Sequence, residues 1–127
     1  MNSITELLDK ARELAVSNDK IREIIHQREG NWRLELVRQR RRLITLICDL
    51  EMLLSRALAN PAAPGEVRDM KEALFHMRTI LAHHQASWPA ATLDTGIEDY
   101  LLSANHVRER FLTFAAHVEK LSARFRT

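Results

Sequence analysis

The sequence predicts an all-α protein, an antiparallel up-and-down four-helix bundle, and three observations carry that prediction. All three glycines and all three prolines fall at position 30, within 60–65 or within 87–96. Four stretches without helix breakers lie between those points, at about 3–29, 31–59, 65–87 and 95–126. Within them, apolar residues recur at three- and four-residue spacing, which draws a stripe along a helix. Connections this short favour antiparallel neighbours crossing at about 20°. A chain of 127 residues with 46% apolar content is expected to form one domain around its own core.

The first stretch places Ile4, Leu7, Ala11, Leu14, Asn18, Ile21 and Ile25 on one seam. Asn18 is the polar entry. Ser17-Asn18-Asp19 could break the helix and cap a second one, but the stripe keeps phase on both sides, so a continuous helix is predicted. A lone amide in a seam can also fix register or subunit number. Gly30 reads as the C-cap of this helix and Asn31 as the cap of the next.

The second stretch begins basic, with Arg33, Arg38, Arg40, Arg41 and Arg42, and continues apolar over two adjacent stripes. One holds Leu43, Leu46, Leu50, Leu53 and Ala57; the other holds Ile44, Ile47, Leu54 and Leu58. So wide an arc needs several neighbours or a second subunit. The third stretch carries Val67, Met70, Leu74, Met77, Leu81, His84 and Trp88 in phase. The fourth carries nine seam positions, Ile97, Tyr100, Ala104, Val107, Phe111, Phe114, Val118, Leu121 and Phe125. It opens on Thr95-x-x-Glu98, a capping box, with Asp94 suited to the positive end of the helix dipole.

Composition removes several function classes. A single cysteine, Cys48, builds neither a disulfide framework nor a Cys-based zinc site, and its apolar neighbours mark it as a small core residue. No window approaches 18 uninterrupted apolar residues, so no membrane span is expected. Glu6 and Asp9 stand where a signal peptide needs a basic start and an apolar core, so the expected location is the cytoplasm. Net charge is only +2. With no Gly-rich phosphate loop and no G-x-S-x-G elbow, the chain is not expected to be an enzyme.

Six histidines in a helical bundle raise two chemical alternatives. A diiron bundle needs Glu-x-x-His on two helices; here Glu23-x-x-His26 is the single match, since Glu72 and His76 are four apart and His106 and His117 lack the carboxylate. Phosphotransfer bundles resemble H-x-L-K-G around a solvent-facing histidine. His26-Gln27-Arg28-Glu29-Gly30 keeps the glycine but sets Glu29 where the lysine belongs, and His76 and His83 match no better. His84, on a seam beside His83, reads most simply as a boundary histidine with a ring nitrogen bonded to a backbone carbonyl; the sharper reading is a ligand or pH-sensitive contact. No metal or other cofactor is therefore expected. The arginines at 38–42 could meet phosphates, but the small net charge and the single nearby aromatic, Trp32, disfavour nucleic acid and favour a solvated or protein-docking face.

What remains is an adaptor-like, export-chaperone-like or regulatory interaction module, a homodimer being one form of it. The residues expected to carry binding are Arg38, Arg41 and Arg42 for an acidic partner surface and Leu46 and Leu53 for apolar contact. The run Gly30-Asn31-Trp32 with Leu34, Leu36, Val37, Arg41, Leu43 and Ile44 resembles the G-x-W helix start of small flagellar export chaperones of the FliT type. That resemblance covers about fifteen residues and does not extend into the second half of the chain. It implies a small helical protein that binds the helical tails of secreted substrates.

Overall fold

A computed structural model describes residues 3–93 and 97–124. Four helices, α1 (Ser3–Gln27), α2 (Trp32–Leu58), α3 (Gly65–Ser87) and α4 (Ile97–Arg124), account for most of them, with a 3-10 turn at Ala90–Thr92 and no strand among the described residues. None of these helices is long and apolar enough to cross a membrane. α1 is continuous through Ser17-Asn18-Asp19, as its unbroken stripe predicts.

The chain order of the helices is also their order around the bundle. α1 packs closely on α2 and α3 on α4; α2 meets α3 less extensively, and α1 meets α4 least. Side-chain pairs fix the directions. Lys10 near the start of α1 lies 3.8 Å from Asp49 in the second half of α2. Glu51 pairs with Arg78 of α3 at 2.9 Å, and Glu66 at the start of α3 pairs with Arg124 at the end of α4 at 2.7 Å. Each helix therefore runs against its neighbours. The ends of α1 and α3 and the starts of α2 and α4 share one end of the bundle.

The core follows the stripes. Leu7, Leu14, Leu36, Leu43, Leu50, Leu54, Met70, Leu74, Met77 and Leu121 are fully enclosed, and such large side chains each stabilise the fold by about 1.5–3 kcal/mol before chain entropy offsets it. On α2 the broad apolar arc is explained by two flanking neighbours, α1 and α3. Leu43, Leu46, Ile47, Leu50 and Leu54 are buried, Leu53, Ala57 and Leu58 are half-buried, and Ile44 and Met52 remain exposed.

Three local expectations are corrected. Cys48 is exposed, one step beyond buried Ile47, and is not a core residue. α1 stops at Gln27, and the left-handed residue after it is Arg28 (φ 47°), whose N–H bonds the Ile24 carbonyl at 2.8 Å; Gly30 (φ 56°) follows in the link. Asn31 occupies the position before α2, but its side chain makes no cap bond. The expected capping box at Thr95 and the seam residue Phe125 lie outside the described residues. Between α3 and α4, buried Ala90 and Leu93 close the bundle end, and Arg33 donates to the Ala90 carbonyl at 3.2 Å while lying over the Trp32 ring.

Candidate functional site

The expected binding residues on α2 do not form one surface. Arg38 is exposed and paired with Glu35 one turn earlier, at 2.9 Å. Arg41 and Arg42 are exposed on the same side. Leu46 is only 3% exposed. It belongs to the core, and its expected role in partner contact is corrected: an apolar residue one turn beyond Arg42 turns inward. Leu53 is half-buried in a separate hollow with Glu6, Asp9, Met52 and Arg56.

The open surface lies on the opposite side of the ring, where α1 and α4 diverge. Two hollows of about 300 and 250 Å³ follow one another along this seam and share Asn18, Arg22 and Arg108. The narrower is walled by Ala11, Leu14 and Ala15 of α1 and by Phe111, Leu112 and Phe114 of α4. Ala11 and Ala15 of α1 and Ala115 of α4 are among the lining residues, and α1 and α4 make the least extensive helix contact of the bundle. Leu101 (43% exposed) and Leu112 (57%) stand in the cleft wall.

The wider hollow is built from all four helices, and each contributes a polar or amphipathic seam residue: Asn18, Arg40, His84 and Tyr100. Arg40 sits in the heptad-like step between buried Leu36 and Leu43, a position that would ordinarily be apolar. It is half-buried, and its Nη2 is enclosed without a hydrogen-bond partner. Burial lowers its pKa, partly opposed by interaction with the Tyr100 hydroxyl; an arginine still remains a cation at neutral pH. Burial raises the Tyr100 pKa, and Arg40 opposes that rise.

His84 is 6% exposed, with Nδ1 2.6 Å from Ser103 Oγ of α4. The partner is a hydroxyl, not the backbone carbonyl that its seam position suggests. Burial first, and the Arg40 charge second, push its pKa from 6.5 to about 4, so the ring is neutral at pH 7. It lies tilted against Tyr100 at 5.1 Å, and Trp88 meets Tyr100 edge-on at 6.0 Å.

The electrostatics of this hollow are one-sided. Arg22, Arg40 and Arg108 line it with His26 and His84, and among the described residues no aspartate or glutamate does. Ile21, Ile25, Leu43, Leu81 and Val107 supply apolar wall. The arrangement can hold an apolar body carrying negative charge.

Glu23 and His26 are both exposed, and among the described residues no three His, Cys, Asp or Glu side chains gather to hold a metal ion. His76 and His117 share a shallow groove with Asp69, Glu72 and Arg110, apart from the cleft. No protein-family model matches the chain, and no curated protein or solved structure matches it either. Within the segment resembling the export chaperones, Trp32 and Val37 are half-buried, Leu36 and Leu43 are core, and Leu34 and Arg41 are exposed.

Sequence reasoning missed Arg40, Tyr100, Arg22 and Arg108 as site residues. A signal existed for the first of them. Asn18 and His84 are polar interruptions of two apolar stripes, Arg40 falls between Leu36 and Leu43, and folding brings all three to one cavity.

Proposed function

We propose that this protein is a non-catalytic helical binding module that takes an amphipathic, acidic segment of a partner protein into the α1–α4 cleft. The observation that supports the reading is the divergence of these two helices over a continuous apolar floor. From Ala11 to His26 the cleft spans about 22 Å of α1, room for about four turns of a partner helix. A partner helix would present apolar residues at i, i+3 or i+4 and i+7, the usual mode of docking in a groove. Charge selects the partner. Arg22 and Arg108 stand where the two hollows join, and among the described residues the wider end is lined by cations and no carboxylate, while Asp19 and Glu119 line the narrower one; the wider end favours an acidic segment and disfavours a second copy of this basic chain.

A photocrosslinking amino acid placed at Leu101, Leu112, Phe75 or Met52 tests the proposal; all four positions are exposed, and only the first two line the cleft. The expected result is a discrete product from Leu101 and Leu112, absent from Phe75 and Met52, whose crosslinked peptide is an acidic amphipathic helix. Binding of that purified segment is expected to be lost in Ala104→Trp, which fills the cleft. Equal yield from all four positions, or a product containing only second copies of this chain, would overturn the reading.

A further inference from the structure

We infer that the wide end of the cleft is a carboxylate-reading site, with the Arg40 guanidinium at its floor and apolar walls that receive the body carrying the carboxylate. This rests on the cleft being a binding surface and adds the chemistry of what it binds.

The argument starts from the cation. A guanidinium removed from water is costly unless a carboxylate or several acceptors replace the lost solvent. Four exposed arginines of this bundle have such partners: Arg12 with Asp9, Arg38 with Glu35, Arg78 with Glu51 and Arg124 with Glu66. Arg40 is more enclosed than these and forms no ion pair among the described residues; Tyr100 is its polar neighbour, and Nη2 stays unpartnered. The chain thus holds a half-buried positive charge in a cavity whose lining, among the described residues, includes no acidic side chain.

The shape of the donor set narrows the anion. Arg40 lies half-buried beside the Tyr100 phenol with Nη2 enclosed, while Arg22 and Arg108 remain exposed farther along the cleft. A planar two-oxygen group matches one guanidinium edge in bidentate fashion. A phosphate would need further buried donors for its third oxygen and second charge. His84, neutral and engaged with Ser103, adds no competing cation. About 300 Å³ with walls of Ile21, Ile25, Leu81 and Val107 suits a short hydrocarbon chain or one to two apolar side chains beside the carboxylate. The carboxylate has two sources with the same chemistry: a free alkyl carboxylate, or a glutamate, aspartate or chain terminus on the partner segment.

Calorimetric titration of the full chain with octanoate, octan-1-ol and octylammonium tests the site, beside two helical peptides that present leucines at i, i+4 and i+7 and differ only by Glu or Gln. Octanoate is expected to bind at least about tenfold more tightly than octan-1-ol, and the Glu peptide at least about tenfold more tightly than the Gln peptide, as expected for a hydrogen-bonded buried charge. Arg40→Gln should remove that preference while leaving octan-1-ol binding unchanged; Arg38→Gln, outside the cleft, should change nothing. Should Arg40→Gln fail to fold, Ala104→Trp is expected to block octanoate and the Glu peptide alike. Tight octanoate binding marks a free amphiphile as the source. A Glu peptide that octanoate displaces only weakly marks a protein carboxylate. Octanoate bound no better than octan-1-ol, together with equal binding of the two peptides, overturns the inference. A silent crosslinker at Leu112 with intact octanoate preference would overturn the protein partner and leave the carboxylate site standing.

Discussion

The α1–α2 and α1–α4 seams are built from the same helix and teach opposite lessons. Toward α2, α1 lays Leu7, Leu14, Ile21 and Ile25 against a wall of leucines and closes on it. Toward α4, α1 offers Ala11, Ala15 and Asn18 to Ala104 and Ala115, and the helices stand apart over an accessible apolar floor. Side-chain volume decides the difference. A helix pair is held by interdigitating bulk, and small residues on divergent axes leave space that nothing in the described chain fills. A bundle with one slack seam keeps three closer-packed interfaces and leaves the fourth open.

The sharpest way to break that comparison is to place a charge in each seam. Leu46→Glu buries an unpaired carboxylate and is expected to destabilise by more than about 4 kcal/mol or unfold the chain, whereas Leu112→Glu in the cleft wall should stay within about 0.5 kcal/mol. Urea denaturation followed by circular dichroism measures both, and equal losses would mean that the α1–α4 seam is as closed as the others.

The polar end of the cleft predicts a pH response. The unfolded His84 imidazole keeps a pKa near 6.5, above the value of about 4 that burial imposes in the fold, so the unfolded chain holds the extra proton between these values. Stability is therefore full above about pH 6.5, falls as pH drops toward 4, and is flat with respect to this group below that. The groups facing the ring are Arg40 from α2 and Tyr100 and Ser103 from α4, with His26 and Arg22 of α1 lining the same hollow. The loss attributable to His84 is up to about 3 kcal/mol. His84→Leu should flatten this part of the stability–pH curve, and an unchanged curve would place the titrating group elsewhere.

Filling the slack seam sharpens the contrast in the other direction. Ala104→Leu is expected to stabilise by about 1 kcal/mol by covering cleft apolar surface while weakening ligand binding; the melting temperature and the octanoate titration read the two effects together. The smallest effect expected lies outside the seams. Arg28→Gly relieves a left-handed non-glycine residue and should stabilise by about 0.5–1 kcal/mol in the same denaturation assay.

Much of the architecture was legible in the chain because helix breakers and apolar spacing are local signals. Every described seam residue expected on α3 is buried or half-buried, and α1 keeps its stripe through Ser17, which takes a buried place that the sequence pattern assigned to Asn18. Legibility fell where one helix meets two neighbours. The apolar excess on α2 left several neighbours or a second subunit open; α1 and α3 flank it, Leu46 is core and Cys48 is surface. The cleft was harder still, because it is made by an absence of bulk shared between helices some eighty residues apart in the chain.

The sequence by itself determined the helical stretches, where the chain turns, and that two stripes carry a polar interruption, at Asn18 and His84. Only the tertiary structure decided that these interruptions, with Arg40 and Tyr100, meet in one hollow, and that the seam left slack is α1–α4. Local hydrogen bonding and apolar periodicity act within a few turns of chain. The convergence of distant polar groups depends on the relative axial placement of four helices, which packing of the whole core sets.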